Sequence, residues 1–305
     1  MNDKMNYLFA FSILLAAVML SGCLSQDDSS SGALPENAPE NITGNGNASA
    51  SHMIGVATTI APLAEFVRAV GGDRVSVTVV VPPGAEPHTF EPTPSLMVSV
   101  SKADLYVMNG AGLEFWMDRM LEANKKMVVV DSSKGVDLMK ENEDEIDPHV
   151  WLSLKNAEIQ VKNICSGLIE VDPAGKDYYS KNRDLYLEKL DALDQELNKT
   201  FAQSGKNIFV VHHPAWTYFA RDYSLQQVPL MENEKEPGPK YLSQVVDLAR
   251  QNNITTIFVE PEFNPKSAEV IAREMNASIV TLDPLAGDFL ENMKFAGKAI
   301  ASSMT

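Results

Sequence analysis

Cysteine is scarce in this chain, with Cys23 and Cys165 the two among 305 residues, so no disulfide framework holds the fold together. Histidine is nearly as rare: His52, His88, His149, His212 and His213 are all there are. Basic residues are outnumbered, 25 Lys and Arg against 41 Asp and Glu, for a formal net charge of −16. With a pI near 4.7 and no basic stripe, the chain lacks the electrostatic footprint of a nucleic-acid binder. The apolar run at its start, Tyr7 to Leu20, is short of the roughly 20 residues that a membrane-spanning helix takes.

That short run is followed by Leu20-Ser21-Gly22-Cys23, which reads as a lipoprotein processing site. Residues 1–22 are therefore expected to be a secretory signal peptide, although Lys4 is its lone cation and Asp3 offsets it. The alternative is an uncleaved anchor helix; either way the body lies outside the cytoplasm, tethered to a membrane. Residues 23–52 are rich in Ser, Asn, Gly, Ala and Pro and hold almost no large apolar side chains, so they read as a lipid-anchored flexible tether. His52 belongs to that tether, as do two glycosylation-type sequons, Asn41-Ile42-Thr43 and Asn47-Ala48-Ser49. Cys165 falls in an apolar helical pattern and reads as a small core residue.

From Met53 the pattern changes to strands alternating with helices, the signature of an α/β fold with mainly parallel sheets. An N-terminal lobe is expected over 53–171, with strands at 54–59, 75–81, 105–108 and 127–130. Asp172-Pro173 is read as the N-cap and first position of a long helix over 172–203. Its apolar stripe is Tyr186, Leu190, Leu193, Leu197 and Phe201, and it is long enough to link two lobes. A C-terminal lobe over 204–305 repeats the alternation, with strands at 207–211, 254–259 and 278–282. Two such lobes imply a cleft, with ligands at the carboxyl ends of the strands.

The scarce histidines fall at those ends. His88 follows the strand ending at Val81, His149 follows the later strands of the first lobe, and His212-His213 directly follows strand 207–211. Asp283 directly follows strand 278–282. Pro87, Pro148, Pro214 and Pro284 stiffen these positions. One histidine taken alone is more often a structural or surface residue. Several at equivalent strand ends, with few elsewhere, favour a metal site, and imidazoles with a carboxylate suit a borderline divalent cation such as zinc. No compact His-Glu-x-x-His motif is present.

The residues also resemble a family. Thr58-Thr59-Ile60-Ala61-Pro62-Leu63, Pro82-Pro83-Gly84-Ala85-Glu86-Pro87-His88, Asn109-Gly110-Ala111-Gly112-Leu113-Glu114 and Asp147-Pro148-His149-Val150-Trp151 are similar to the zinc- and manganese-binding solute receptors of ABC transporters. Glu236-Pro237-Gly238-Pro239-Lys240, Phe258-Val259-Glu260-Pro261 and Leu282-Asp283-Pro284-Leu285 continue the likeness, which covers 53 to 290 in order. It implies two α/β lobes joined by a rigid helix, with a metal site between them. By position it makes His88 and His149 the first-lobe ligands and Asp283 the second-lobe carboxylate. The third ligand lies two residues before Ala215, which selects His213 over His212. Manganese carriers of the family tend to have glutamate there, so histidine resembles the zinc branch.

One departure is that Glu141-Asn142-Glu143-Asp144-Glu145 stands where zinc receptors often have a histidine-rich loop; within the acidic stretch 141–147 it reads as solvated. The resemblance thus implies a monomeric, non-enzymatic, lipid-anchored receptor. It would capture Zn2+ outside the cell and pass it to an ABC permease, with Mn2+ or iron as alternative cargo. Rival readings are a zinc-dependent hydrolase, which needs an open coordination position, and an adhesin. Three neutral imidazoles and one carboxylate leave an occupied site at +1, so Glu86 and Glu260 are candidates for balancing charge. Affinity is expected to fall as pH drops through about 6.5, where free imidazoles protonate.

Overall fold

The computed structural model describes residues 53–304 apart from 118–121, 123, 142–144, 232–237 and 264–265. The expected signal peptide, lipid site and tether lie outside the described residues, as does the centre of the acidic run. The first sheet is built from β1 (Ile54–Thr58), β2 (Val75–Val79), β3 (Leu105–Met108) and β4 (Val128–Asp131), all parallel in the order β2-β1-β3-β4. Helices α1 (Ala61–Gly71), α2 (Pro94–Val100) and α3 (Leu154–Val171) accompany it. Leu63, Phe66, Val67 and Val70 give α1 an apolar stripe at helical spacing, and all four are buried. The Val80 and Val81 N–H groups still donate to the Thr58 and Thr59 carbonyls, at 2.8 and 2.9 Å, so pairing continues past the regular end of β2.

The long helix α4 runs over Lys176–Ala202, 27 residues and about 40 Å at 1.5 Å per residue. Its predicted stripe, Tyr186 through Phe201, is buried. Its start differs from the expectation. Pro173–Gly175 forms a separate 3-10 turn, and Asp172 makes no side-chain cap. The Asp172 carboxylate instead accepts from Arg74 at 2.5 Å and Tyr179 at 2.7 Å, a partnership with the loop before β2 that outcompetes local capping.

The second sheet repeats the first: β5 (Ile208–Val211), β6 (Gln226–Pro229), β7 (Thr256–Val259) and β8 (Ser278–Thr281), parallel in the order β6-β5-β7-β8. Helices α5 (Thr217–Asp222), α6 (Pro239–Gln251), α7 (Lys266–Met275) and α8 (Phe289–Ser302) surround it. Two elements are absent from the expectation. The edge strand β6 has the half-polar sequence Gln-Gln-Val-Pro, and α8 lies at the end of the chain. Cys165 is buried in the core within α3, as expected.

In each sheet the chain leaves the central strand in both directions, from β1 to β2 and β3 and from β5 to β6 and β7. This places a topological switch point at the strand carboxyl ends, where open parallel sheets hold their ligands. One continuous core joins the first lobe, α4 and α8 with the near side of the second sheet; residues such as Phe209, Trp216 and Phe258 belong to it. A second cluster fills the far side of that sheet, around Val210, Ile257 and Ile271.

Candidate metal centre

His88 lies on the loop leaving β2, which turns at Gly84 with φ 78°, a left-handed conformation that suits glycine. Its backbone N–H donates to Glu86 Oε1 at 3.0 Å, folding that carboxylate back towards the ring, where Oε1 lies 3.8 Å from His88 Nε2.

His149 is held more tightly. Asp147 Oδ1 accepts from the His149 backbone N–H at 2.9 Å and lies 2.8 Å from its Nδ1. A carboxylate there fixes the proton on Nδ1 and turns the Nε2 lone pair outwards. Burial pushes the Asp147 carboxyl up, but its hydrogen bonds and charge interaction with His149 outweigh this and hold it below the usual range. The loop is braced from both lobes: Asn109 Nδ2 donates to the Pro148 carbonyl at 2.8 Å and Tyr218 Oη to the Asp147 carbonyl at 2.8 Å. Asn109 is itself set by Glu114, whose buried carboxylate accepts from the Asn109 and Gly110 N–H groups at 2.6 and 3.1 Å. Burial raises the Glu114 carboxyl to about 7.

His213 stands just beyond β5. Its N–H donates to Glu260 Oε2 at 3.3 Å, and its ring stacks on Phe263 with centroids 5.0 Å apart.

The three Nε2 atoms converge. His149 Nε2 is 3.1 Å from both His88 Nε2 and His213 Nε2, and the ligand atoms of all three residues lie within 4.8 Å of one another. Nitrogens bound at 2.0–2.1 Å on a tetrahedral zinc are about 3.3 Å apart, so the donors stand close to the spacing such an ion needs. The cavity they share is about 10 Å3, the scale of one small ligand atom, and its walls include Trp151, Glu262 and Phe263. Burial, and then the neighbouring imidazoles, lower the His88 ring to about 3 and the His213 ring to about 2. Both are therefore neutral and competent as ligands at pH 7.

Of the expected site residues, the structure brings together His88, His149 and His213. His212 is buried and packs against Phe263 at 5.4 Å between centroids, outside the three-histidine group. Asp283 also stands outside that group. It is half-buried, its Oδ1 accepts from the Leu285 N–H at 2.8 Å, and it lines an adjoining cavity of about 360 Å3. Burial raises its carboxyl above the usual range.

Residue-by-residue reasoning passed over Asp147 and Glu262. The signal for Asp147 was an acid two positions before a histidine. Glu262 borders both cavities, Oε2 has no hydrogen-bond partner among the described residues, and burial pushes its carboxyl up to about 7.

The model of the family ZnuA, zinc-uptake complex component A, periplasmic, matches residues 56–303. The chain belongs to this family. Its members are solute receptors of metal uptake systems and not enzymes, which removes the hydrolase reading. The chain is 34% identical over 253 residues to the high-affinity zinc uptake system protein ZnuA of Bacillus subtilis, covering 76% of this chain and 78% of the relative. It is 31% identical to the manganese-binding lipoprotein MntA of Halalkalibacterium halodurans, over 89% of this chain and 86% of the relative. A crystal structure of a ZnuA 138–173 deletion mutant with zinc bound superposes with a TM-score of 0.80 at 37% identity, covering 83% of this chain and 98% of that one.

Proposed function

We propose that this receptor carries zinc, and that it delivers the ion to the permease of an ABC transporter while anchored by lipid on Cys23 to the outer face of the cytoplasmic membrane. The observation that carries the reading is the convergence of three imidazole Nε2 atoms, with that of His149 3.1 Å from each of the other two. Nitrogen-rich ligation favours zinc over manganese, which prefers oxygen donors. The likeness to a zinc-bound relative points the same way, while the manganese-binding relative keeps Mn2+ as the second candidate. His88, His149 and His213 are the nitrogen ligands in this reading. Asp283 supplies the second-lobe carboxylate, turning from the Leu285 N–H towards the ion. The receptor acts as a monomer.

The test is competition titration of zinc and manganese on the metal-free full-length chain at pH 7.5. One zinc per chain is expected, weakened at least 100-fold in His149→Ala and His213→Ala and unchanged in His212→Ala. Asp283→Asn should lose less than either histidine. Tight manganese with weak zinc would move the cargo to Mn2+, and unaltered zinc affinity in His149→Ala would sink the site.

A further inference from the structure

Among the buried atoms on the second-lobe side of the centre that lack hydrogen-bond partners among the described residues are His213 Nδ1 and Glu260 Oε1. They belong to residues already joined, because the His213 N–H donates to Glu260 Oε2. Both residues are sealed from solvent, at 3% and 2% exposure. Their meeting is set by the sheet. Val211 pairs with Phe258 across β5 and β7, and the His212 N–H extends the ladder to the Phe258 carbonyl at 2.8 Å. His213 lies two residues beyond Val211, and Glu260 lies two beyond Phe258. Both therefore leave neighbouring strands at the same level, and the His213 N–H to Glu260 contact joins them just past the strand ends.

A histidine that binds a cation through Nε2 carries its proton on Nδ1, and a buried N–H needs an acceptor. On the first-lobe side Asp147 already serves His149 in this way, taking both its backbone and its ring N–H. Glu260 makes the first of those two bonds to His213 and has one oxygen left for the second. We propose that Glu260 is the positioning residue of His213: its Oε1 accepts the Nδ1–H of the metal-bound ring and holds Nε2 on the ion. The proposal rests on the reading that the three imidazoles bind the cation through Nε2. It gives each side of the cleft one carboxylate that orients one histidine, so lengthening or losing the Glu260 arm loosens the second-lobe side alone.

The experiment uses the full-length chain with zinc and compares Glu260→Met, which removes the acceptor, with Glu260→Gln, which keeps one. Glu260→Met should weaken zinc 10- to 100-fold, the range seen when outer partners of metal-bound histidines are removed. Glu260→Gln should restore most of that loss. Nitrogen-15 NMR of the zinc-loaded wild type should show the His213 Nδ1–H as a slowly exchanging proton that shifts in Glu260→Gln. Zinc affinity of Glu260→Met within twofold of wild type would overturn the role, and so would a His213 Nδ1–H that exchanges rapidly in the wild type. Should Glu260→Met not fold, the wild-type proton and its shift in Glu260→Gln decide. Retention of zinc by His149→Ala would remove the metal centre itself, whereas its loss there with an indifferent Glu260→Met removes only the role of Glu260.

Discussion

Replacing Asp147 tests whether the centre depends on its buried supporting carboxylate as well as on the imidazoles. Asp147 is 2% exposed, and one of its oxygens takes both N–H groups of His149. With a 2.8 Å bond to Nδ1, the ring and a metal–nitrogen bond in series, the carboxylate would sit roughly 6.5 Å from a bound ion. A unit negative charge and a divalent cation at that distance attract by about 5 kcal/mol at an effective dielectric of 20. That is a ceiling, because the carboxylate also loses hydration when buried. Outer carboxylates of this kind change metal affinity by about 10- to 100-fold, or about 1.4 to 2.7 kcal/mol. Asp147→Asn keeps an acceptor for Nδ1–H and loses only the charge, so it should fall at the lower end. Asp147→Ala also strands a buried N–H, a further penalty of about 1–3 kcal/mol, and should lie at or beyond the upper end. Competition with a chromogenic chelator at pH 7.5 measures both. Equal zinc affinity in wild type and Asp147→Ala would refute the reasoning, as would a loss in Asp147→Asn greater than in Asp147→Ala.

In the metal-free protein the His88 and His213 rings should each contribute a loss of stability as pH falls from about 6.5 to about 3, against the opposite contribution of Glu114 and Glu262, whose carboxyls are raised to about 7. The His88 and His213 rings are lowered to about 3 and about 2, so the unfolded chain takes up protons through about 6.5 that the folded chain refuses. Thermal melts should show His88→Ala and His213→Ala each losing less stability than the wild type over that range, and a pH dependence identical to wild type would contradict the burial argument. Gly110→Ala should destabilise the protein by at least about 1 kcal/mol. Gly110 has φ 80°, and a Cβ there would meet Asp131 Oδ1 at 2.1 Å. Because Asn109 braces Pro148, zinc affinity should fall with stability; a melting temperature equal to wild type would refute the role given to this turn.

Much of the architecture was legible because local signals and tertiary packing agree. The strand over Leu105–Met108 is found at its predicted bounds, and the stripe from Tyr186 to Phe201 is the buried face of α4. Strand ends fixed the neighbourhood of His88, His149 and His213, since parallel sheets leave few places for a ligand. Where the reading slipped, a distant partner decided the outcome. Asp172 looks like an N-cap from its neighbours, but Arg74, 98 positions earlier, takes its carboxylate. The strand β6 carries little apolar signal because it is an edge, held by its ladder to β5 rather than by burial of alternate residues. Glu262 was invisible for a different reason: nothing local distinguishes a solvated glutamate from one on a cavity wall.

The same packing limits how the receptor can respond to its cargo. The linking helix does not stand free between lobes: Tyr186 meets Phe66 of α1 at 6.0 Å between ring centroids, and Gly297 of α8 sits so close that a Cβ would meet Leu197 at 2.4 Å. Glu65 of α1 accepts from Tyr186 Oη and from the Phe289 N–H at the start of α8, which ties the end of the chain to the first lobe. Across the cleft, Trp151 Nε1 donates to the Pro284 carbonyl at 2.7 Å, and Tyr218 accepts from the Met139 N–H at 3.0 Å while donating to Asp147. A wide rigid-body swing would break these contacts together and open the shared core. In the loops that carry His88 and Asp283, by contrast, the backbone bonds to Glu86 and Asp283 are single hydrogen bonds worth about 1 kcal/mol each. Metal binding is therefore expected to move those loops while the sheets and α4 keep their places, and solution scattering that showed a large zinc-driven compaction would contradict this.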